Sequence, residues 1–506
     1  MLNWIDGFLN KITMYRLVLY YLIFLWAVAL IFGFFGILPY DPGTFALSAL
    51  IIISACWVTN FVFARVFRAQ ANIESLYITG FILALIITPV KSTDLSGLAF
   101  LVWVGIWAMA SKYILAIGKK HLLNPAAFAV ALAAFTIGQS ASWWVGTLPM
   151  SPFVVLGGLI VARKLQRFDL VLSFFAVSLA TIVGTTLIKG ADAFSIIGKS
   201  LFDSPILFFA FVMITEPLTT PPTRLLRVIY GAMVGFLFAP AMHLGSLYST
   251  PELALIVGNI FSYFVSPRGK YVMRLVGKTQ IAEDTYDFVF VPDRKISFRP
   301  GQYLEWTLGH SHADNRGNRR YFTIASSPTE DSIRLGIKFY PEASSFKRMF
   351  LKMKPGSEIV AGQLAGEFTL PRNKNKKLVF IAGGIGITPF RSMIKHLLNN
   401  NEKREIILLY SNKIAADIAY ADIFDEASQK LGIRSVYTLT AGVPTSWPGR
   451  VGPITEQVIQ EEIPDYKERI FYVSGPHSMV AAFERTLKNL GLKKRQIKID
   501  FFPGFV

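Results

Sequence analysis

The sequence predicts a polytopic α-helical membrane domain of about ten spans fused to a soluble half, itself a β-barrel domain plus an α/β parallel-sheet domain. Three observations predict it. Long apolar runs are confined to residues 1–267, which hold only 15 of the 51 Lys and Arg and 9 of the 33 Asp and Glu. Alternating apolar and polar residues then mark strands, as in Tyr286–Val291 and Arg334–Phe339. From Lys377 onward short buried strands alternate with helical stretches, the pattern of a parallel sheet. The expected domains are 1–267, 268–372 and 373–506. At 53% apolar residues, 17% charged and mean hydropathy +0.44, the chain departs from soluble domains, which carry roughly 25% charge. The same composition excludes disorder, collagen and coiled coil.

A spanning helix needs about 17–25 mostly apolar residues. Ten stretches are read as spans: 17–38, 46–64, 75–91, 95–111, 122–138, 148–162, 169–188, 204–218, 228–244 and 250–266. More spans follow the first without a small-residue cleavage site, so it reads as an anchor. The intervening loops alternate in charge. One set carries Lys11 and Arg16, Arg65 and Arg68, Lys112 with Lys119 and Lys120, Arg163 with Lys164 and Arg167, Arg224 and Arg227, and Arg268 with Lys270. The other set carries few basic residues, nearly all beside acids. Positive charge stays inside, so both termini are expected in the cytoplasm and the protein in the cell's inner or plasma membrane, in contact with lipid. This placement also accounts for the net charge of +18 without a nucleic-acid partner.

Polar residues and prolines interrupt the apolar half at Asn124-Pro125 and along Thr215-Glu216-Pro217-Leu218-Thr219-Thr220-Pro221-Pro222-Thr223. Broken backbone at membrane depth is tolerated where it is buried in protein or lines a cavity. Glu216 is therefore either a cofactor or ion site or a polar helix cap. These two stretches, with Ser111-Lys112-Tyr113, Gly118-Lys119-Lys120-His121 and Tyr230-Gly231, resemble the D-type membrane component of Rnf electron-transport complexes. They also resemble the B-type membrane component of the Na⁺-translocating NADH:quinone oxidoreductase. Glu216 stands where that family has Asp. The resemblance implies a ten-helix protein holding flavin, FMN or riboflavin, within the membrane. It also implies a phosphoester-linked flavin on a Thr of an extracytosolic Ser-Gly-Ala-Thr-Pro-like segment. Thr147 is the only Thr of 139–149, although Trp-Val-Gly precedes it in place of Ser-Gly-Ala. The other reading of this segment is an interfacial loop anchored by Trp143 and Trp144.

In the soluble half three motifs carry chemistry. A flavin that accepts hydride needs an aromatic face, a hydroxyl near N5 and a cation for its pyrophosphate, which Phe322, Thr323 and Arg320 can supply. Strand alternation puts Arg320 and Phe322 on one face and Thr323 on the other. Second, Leu378–Ala382 runs through Gly383, Gly384 and Gly386 into a helix at Thr388, so that glycine amides and a helix N-terminus face a pyrophosphate. Third, Phe471-Tyr472-Val473-Ser474-Gly475-Pro476 ends a strand at the sheet edge where such folds bind ligands. In this order the motifs closely resemble the ferredoxin–NADP⁺ reductase-like flavoproteins. The resemblance implies FAD held by Arg320, Phe322 and Thr323, with Ser344 and Ser345 in the pyrophosphate loop. It implies NADH or NADPH on Gly383, Gly384, Gly386, Thr388, Gly475 and Pro476, with Ser474 in place of the family's Cys beside the transferred hydride. Phe502, in Asp500-Phe501-Phe502, is the expected aromatic cover of the flavin ring. Ser411-Asn412-Lys413, after the next strand, offers no acid for a ribose and a single Lys for a phosphate, which leans toward NADH.

The expected function is a membrane flavoprotein, with Thr323 and Ser474 at the reacting centre, that oxidises NAD(P)H through FAD. It would pass electrons into a flavin-holding membrane domain and on to a quinone or a flavinylated or extracytosolic acceptor. No metal is expected: the one cysteine, Cys56, cannot ligate an iron–sulfur cluster. The alternatives are a haem-containing transmembrane reductase of the ferric reductase or NADPH oxidase type, and a redox-driven Na⁺ pump. The first needs four axial ligands for two haems, and His121 and His243 are the only histidines of residues 1–267.

Overall fold

The computed structural model describes residues 9, 12–67, 73–117, 120–190, 192–266, 269–310, 314 and 317–500. The chain divides into two compact units, one running from Ile12 to Gly269 and the other from Lys270 onward.

The first unit is helical. Its helices are Met14–Phe34, Pro42–Val66, Ile73–Ile86, Leu95–Ile114, Pro125–Ile137, Ser151–Leu165, Phe168–Ile188, Ala193–Phe202, Ile206–Phe208 continuing as a π-helical turn to Met213, Arg224–Phe238 and Pro251–Val265. Each apolar stretch of the sequence holds one of them. Their starts obey local chemistry: Asp41, Asp94, Asn124 and Thr250 each accept a backbone N–H three residues on, and proline follows directly at 42, 125 and 251.

The expectation of about ten spans is corrected by helix length. Among the described residues four helices are long and apolar enough to cross a membrane: Met14–Phe34, Pro42–Val66, Leu95–Ile114 and Phe168–Ile188. A fifth is reached if Ile196–Phe202 and Ile206–Met213, bent by 57°, count as one. At 1.5 Å per residue the 13 to 15 residues of Pro125–Ile137, Ile73–Ile86 and Pro251–Val265 reach only about 20 Å, short of a hydrocarbon core of about 30 Å. The turn chemistry that ends these helices lies inside apolar runs, so hydropathy alone overcounts them. Large apolar side chains such as Phe24, Phe34, Leu50, Trp57, Leu172 and Ile188 remain exposed on this unit, as expected where lipid is the solvent.

The broken helices are closed by the protein itself. Trp143 donates its backbone N–H to the Ile86 carbonyl at 2.8 Å, and Trp144 Nε1 reaches the carbonyls of Ala84 and Ile87 at 3.2 and 2.9 Å. Both indoles are buried, and Trp143 Nε1 donates to Glu252 at 2.7 Å. The interfacial-loop reading of these tryptophans is therefore replaced: they satisfy carbonyls left by a helix that stops inside the unit. Two short hairpins, β1 (Ala116–Ile117) with β2 (Lys120–His121) and β3 (His243–Leu244) with β4 (Leu247–Tyr248), each precede a proline-started helix.

The second unit holds two six-stranded sheets. The first comprises β5 (Tyr271–Ala282), β6 (Thr285–Pro292), β7 (Tyr303–Thr307), β8 (Arg319–Thr323), β9 (Ile333–Lys338) and β10 (Glu358–Ala365), in order β8-β7-β10-β5-β6-β9 with antiparallel pairing. Among the described residues its end strands do not pair, so it is an antiparallel sheet where a barrel was expected. Its core of Phe288, Phe290, Leu304, Trp306 and Leu335 is closed by Phe346 and Phe350 of helix Ser345–Lys352. The second sheet comprises β11 (Leu378–Gly383), β12 (Ile406–Asn412), β13 (Arg434–Leu439), β14 (Arg450–Val451), β15 (Ile470–Ser474) and β16 (Ile497–Asp500), all parallel, in order β14-β13-β12-β11-β15-β16. One apolar layer lies under helices Thr388–Asn399 and Ala421–Leu431, another under Glu456–Glu462 and His477–Asn489. From β11 the chain winds outward through β12 and β13, then returns to β11's other side with β15. The carboxyl ends of β11 and β15 therefore form the switch point at which such sheets open a crevice.

Candidate active site

At that switch point two loops touch backbone to backbone. Gly384 adopts φ +51°, a left-handed conformation that glycine reaches without strain. A Cβ on Gly386 would lie 2.5 Å from the Ser474 carbonyl oxygen and 2.6 Å from the Gly475 nitrogen, and one on Gly383 would lie 2.1 Å from Met479 Sδ. The chain then enters helix Thr388–Asn399, whose first residue is buried with its hydroxyl on the Ile385 carbonyl at 3.2 Å. The backbone of the glycine turn and a helix N-terminus thus lie at the crevice, the kind of donor set that an anionic pyrophosphate requires.

The antiparallel sheet supplies the opposite wall. Arg320 is buried, with its guanidinium 5.2 Å above the Phe346 ring, beside the start of helix Ser345–Lys352. Ser344 caps that helix by accepting the Lys347 N–H at 3.2 Å, and the Ser345 hydroxyl accepts the Asp314 N–H at 3.0 Å and contacts His310 Nε2 at 3.0 Å. Phe322 packs on Phe346 and Phe350. Arg320 and Phe322 therefore share a face. Thr323 lies on the other face, buried, and its hydroxyl is near enough to Asp500 at the end of β16 to draw that carboxyl's pKa down. Ser474 is the register partner of both Ala382 and Asp500. Thr323, Asp500, Ser474, Gly475 and the glycine turn thus converge, while Arg320, Ser344 and Ser345 form a second, cationic pole.

In the sequence Asp500 stands out only as part of a terminal pattern. Burial pushes its carboxyl up to about 7, although the Thr323 hydrogen bond draws it down. Its signal in the sequence is an acid ending a half-buried edge strand, which cannot be told from a solvated acid without the strand order. Phe502 lies outside the described residues, as does Lys119. Asn412 is buried and Lys413 exposed, so of that stretch Lys413 is the cation open to solvent.

A separate polar cluster lies inside the helical unit. Glu216 stands 3.2 Å from His121 Nε2, accepts from Asn124 Nδ2 at 2.9 Å and contacts the Thr219 hydroxyl at 3.2 Å. Asn259 accepts the Asn124 N–H at 2.7 Å and donates to the Tyr230 hydroxyl at 3.1 Å. Both broken stretches singled out in the sequence thus meet at Glu216. Thr147 is remote from solvent at its hydroxyl, which has no hydrogen-bond partner among the described residues.

A family profile described as an oxidoreductase NAD-binding domain matches residues 380–485. The glycine betaine monooxygenase reductase subunit of Pseudomonas aeruginosa is 26% identical over 228 residues, 44% of this chain and 62% of that protein. The flavohemoprotein of Pseudomonas putida is 27% identical over 239 residues, 46% of this chain and 59% of that one. NADH-cytochrome b5 reductase 1 of Mortierella alpina is 27% identical over 235 residues, 46% and 78% respectively. The chain thus spans about three fifths of the length of the first two relatives. Both poles of the crevice fit the two nucleotides: a buried arginine with serine hydroxyls at a helix start, and a glycine turn with no room for side chains at Gly383 and Gly386. The carboxy-terminal half is therefore a ferredoxin–NADP⁺ reductase-like oxidoreductase domain that binds FAD and NAD.

Proposed function

We propose that the protein is a membrane-bound oxidoreductase that takes electrons from reduced nicotinamide nucleotide and delivers them through its helical unit to an acceptor in or beyond the membrane. The observation that carries this reading is the convergence of Thr323, Asp500, Ser474 and the glycine turn in one crevice. FAD, when bound, supplies the two-electron and one-electron chemistry that no side chain offers. The residues do the rest. Arg320, Ser344 and Ser345 would hold the flavin's pyrophosphate, and Gly383, Gly384, Gly386 and Thr388 that of the nicotinamide nucleotide. Gly475 and Pro476 would let the nicotinamide approach beside Ser474, and Thr323, backed by Asp500, would offer its hydroxyl to the flavin.

In the helical unit we assign the polar junction of His121, Asn124 and Glu216 as the place for a second flavin, FMN or riboflavin, with a quinone or extracytosolic protein as acceptor. Both termini are placed in the cytoplasm, on the charge alternation of the loops. A phosphoester on Thr147 requires its hydroxyl to turn outward. The test is cofactor analysis of the purified full chain. More than one flavin per chain supports the relay, whereas NADH oxidation with a single FAD refutes it. A second reading, redox-driven Na⁺ movement, draws on the same buried carboxylate. NADH oxidation in proteoliposomes without ²²Na⁺ uptake would remove it. The haem alternative finds no support in the histidines, since His121 pairs with Glu216 and His243 sits on an exposed hairpin.

A further inference from the structure

We infer that Arg391 and Ser392, with Glu330, are positioning residues that set the separation between the nicotinamide cradle and the flavin-facing Thr323. The inference rests on the oxidoreductase reading above and deepens it. Arg391 and Ser392 are the fourth and fifth residues of helix Thr388–Asn399, which follows the glycine turn. Both are buried, as are Ser326 and Ser327. Arg391 Nη1 donates to the Ala325 carbonyl at 2.8 Å, and the guanidinium grips Glu330 in two bonds of 2.7 and 3.0 Å. The Ser392 hydroxyl donates to the Ser326 carbonyl at 2.6 Å. Glu330 in turn accepts the Ser327 N–H at 2.6 Å, closing the turn that follows β8.

The location of these bonds matters more than their number. Ala325 and Ser326 are two and three residues beyond Thr323. The backbone N–H groups here are tied to the antiparallel sheet: Ile324 donates to Gln302 and Ala325 to Arg334. The carbonyls of Ala325 and Ser326 are held instead by Arg391 and Ser392. Each wall of the crevice is thus fastened to the other within two helical turns of the glycine loop and within three residues of the Thr323 hydroxyl. A bidentate guanidinium–carboxylate pair has fixed geometry, so it sets a distance rather than merely an attraction. Burial opposes ionisation of Glu330, yet Arg391 holds its carboxyl below the ordinary value, so the pair stays charged across the working pH range. Tyr420 backs it, its ring 5.4 Å from the guanidinium and its hydroxyl on Asp287 at 2.9 Å.

The step served is transfer of a hydride, with its two electrons, from reduced nicotinamide to flavin N5, which leaves the nicotinamide oxidised. Such transfer needs the reacting atoms about 3–3.5 Å apart, and a misplacement of about 1 Å costs roughly a hundredfold. The test uses the full chain in detergent, with Arg391→Lys, Ser392→Ala and Glu330→Gln followed by anaerobic stopped flow with NADH. Expected are unchanged FAD content and nucleotide Kd within about twofold, a limiting reduction rate at least about tenfold lower, and a weaker long-wavelength nicotinamide–flavin charge-transfer absorbance. Ser392→Ala removes one hydroxyl only and keeps the test decisive should the arginine variant misfold. Wild-type rates and absorbance in Ser392→Ala overturn the inference, as does a rate loss that follows FAD loss or weaker nucleotide binding. A wild-type chain that neither NADH nor NADPH reduces overturns the oxidoreductase reading itself.

Discussion

Replacing Asp500 by Asn exchanges one oxygen for an NH₂ group and removes a titration. From the ordinary value of 3.8 the carboxyl is pushed up to about 7, about three units, or about 4 kcal/mol at 1.36 kcal/mol per unit. Solvent lowers that figure, because the residue as a whole is only partly buried. An unfolded chain releases this proton near pH 4, whereas the folded chain keeps it until near pH 7. The group's contribution to stability is therefore greatest below pH 4 and is lost as pH rises through the interval from about 4 to 7. The protonated fraction falls from about nine tenths at pH 6 to about one tenth at pH 8. A neutral acid donates to the Thr323 hydroxyl and leaves that hydroxyl's proton for flavin N5. A carboxylate only accepts, and draws the proton away. Anaerobic stopped-flow reduction of FAD in the wild-type chain should therefore slow with rising pH and inflect near 7. In Asp500→Asn the profile should be flat from pH 6 to 8, with FAD retained. An inflection near 7 that survives in the Asn variant would refute this account, and so would a wild-type profile without one between pH 5 and 9.

Arg320→Ala should release FAD, because a charge-assisted phosphate bond is roughly twice as strong as a neutral one. Thr323→Ala should retain FAD but slow its reduction, the lost hydrogen bond being worth about 0.5–1.5 kcal/mol, with flavin absorbance after gel filtration separating the two. Gly386→Ala, whose Cβ would sit 2.5 Å from the Ser474 carbonyl, should weaken NADH binding by tenfold or more without loss of FAD, read from the NADH dependence of flavin reduction. Trp144→Phe should leave the Ile87 and Ala84 carbonyls without their indole donor at a cost of about 1–3 kcal/mol, seen as a lower thermal inactivation midpoint in detergent. A reporter fused after Val506 and one inserted near Lys199 should report the same side of the membrane, because the four long apolar helices all end by Ile188; opposite-side labelling would make the bent pair Ile196–Phe202 and Ile206–Met213 a fifth span and break the proposed placement of both termini in the cytoplasm.

How far the sequence revealed these features depended on whether the signal was local. The glycine turn and the strand through Arg320 and Thr323 were legible, because each is written in consecutive residues, whereas Ser344 and Ser345, expected in a loop, begin a helix. Alternation along β8 alone told that Arg320 and Thr323 face apart. The closure by Arg391, Glu330 and Ser392 was not legible, since it joins residues 66 apart in the chain and none has a distinctive neighbour. Asp500 needed the strand order, which puts β16 beside β15. In the helical unit hydropathy found most helices but not their ends, and it missed Ala193–Phe202, which lies in a stretch read as a loop. The carbonyls of Ile86 and Ile87 are capped by the Trp143 amide and the Trp144 indole, the latter 57 residues further on. No local rule announces that a helix stops short because a distant tryptophan completes it.

The meeting of Gly386 with Ser474 has a consequence for how this chemistry can vary. The contact involves the Ser474 carbonyl and the Gly475 nitrogen and Cα, so the crevice is shaped by main chain alone at that point. The side chain at 474, itself buried, takes no part in that contact. On the proposed function, a substitution at 474 would change the polarity beside the nicotinamide without touching the main-chain contact that spaces the two loops. At position 386 the reverse holds. It has no setting but glycine, and all of its information goes into shape.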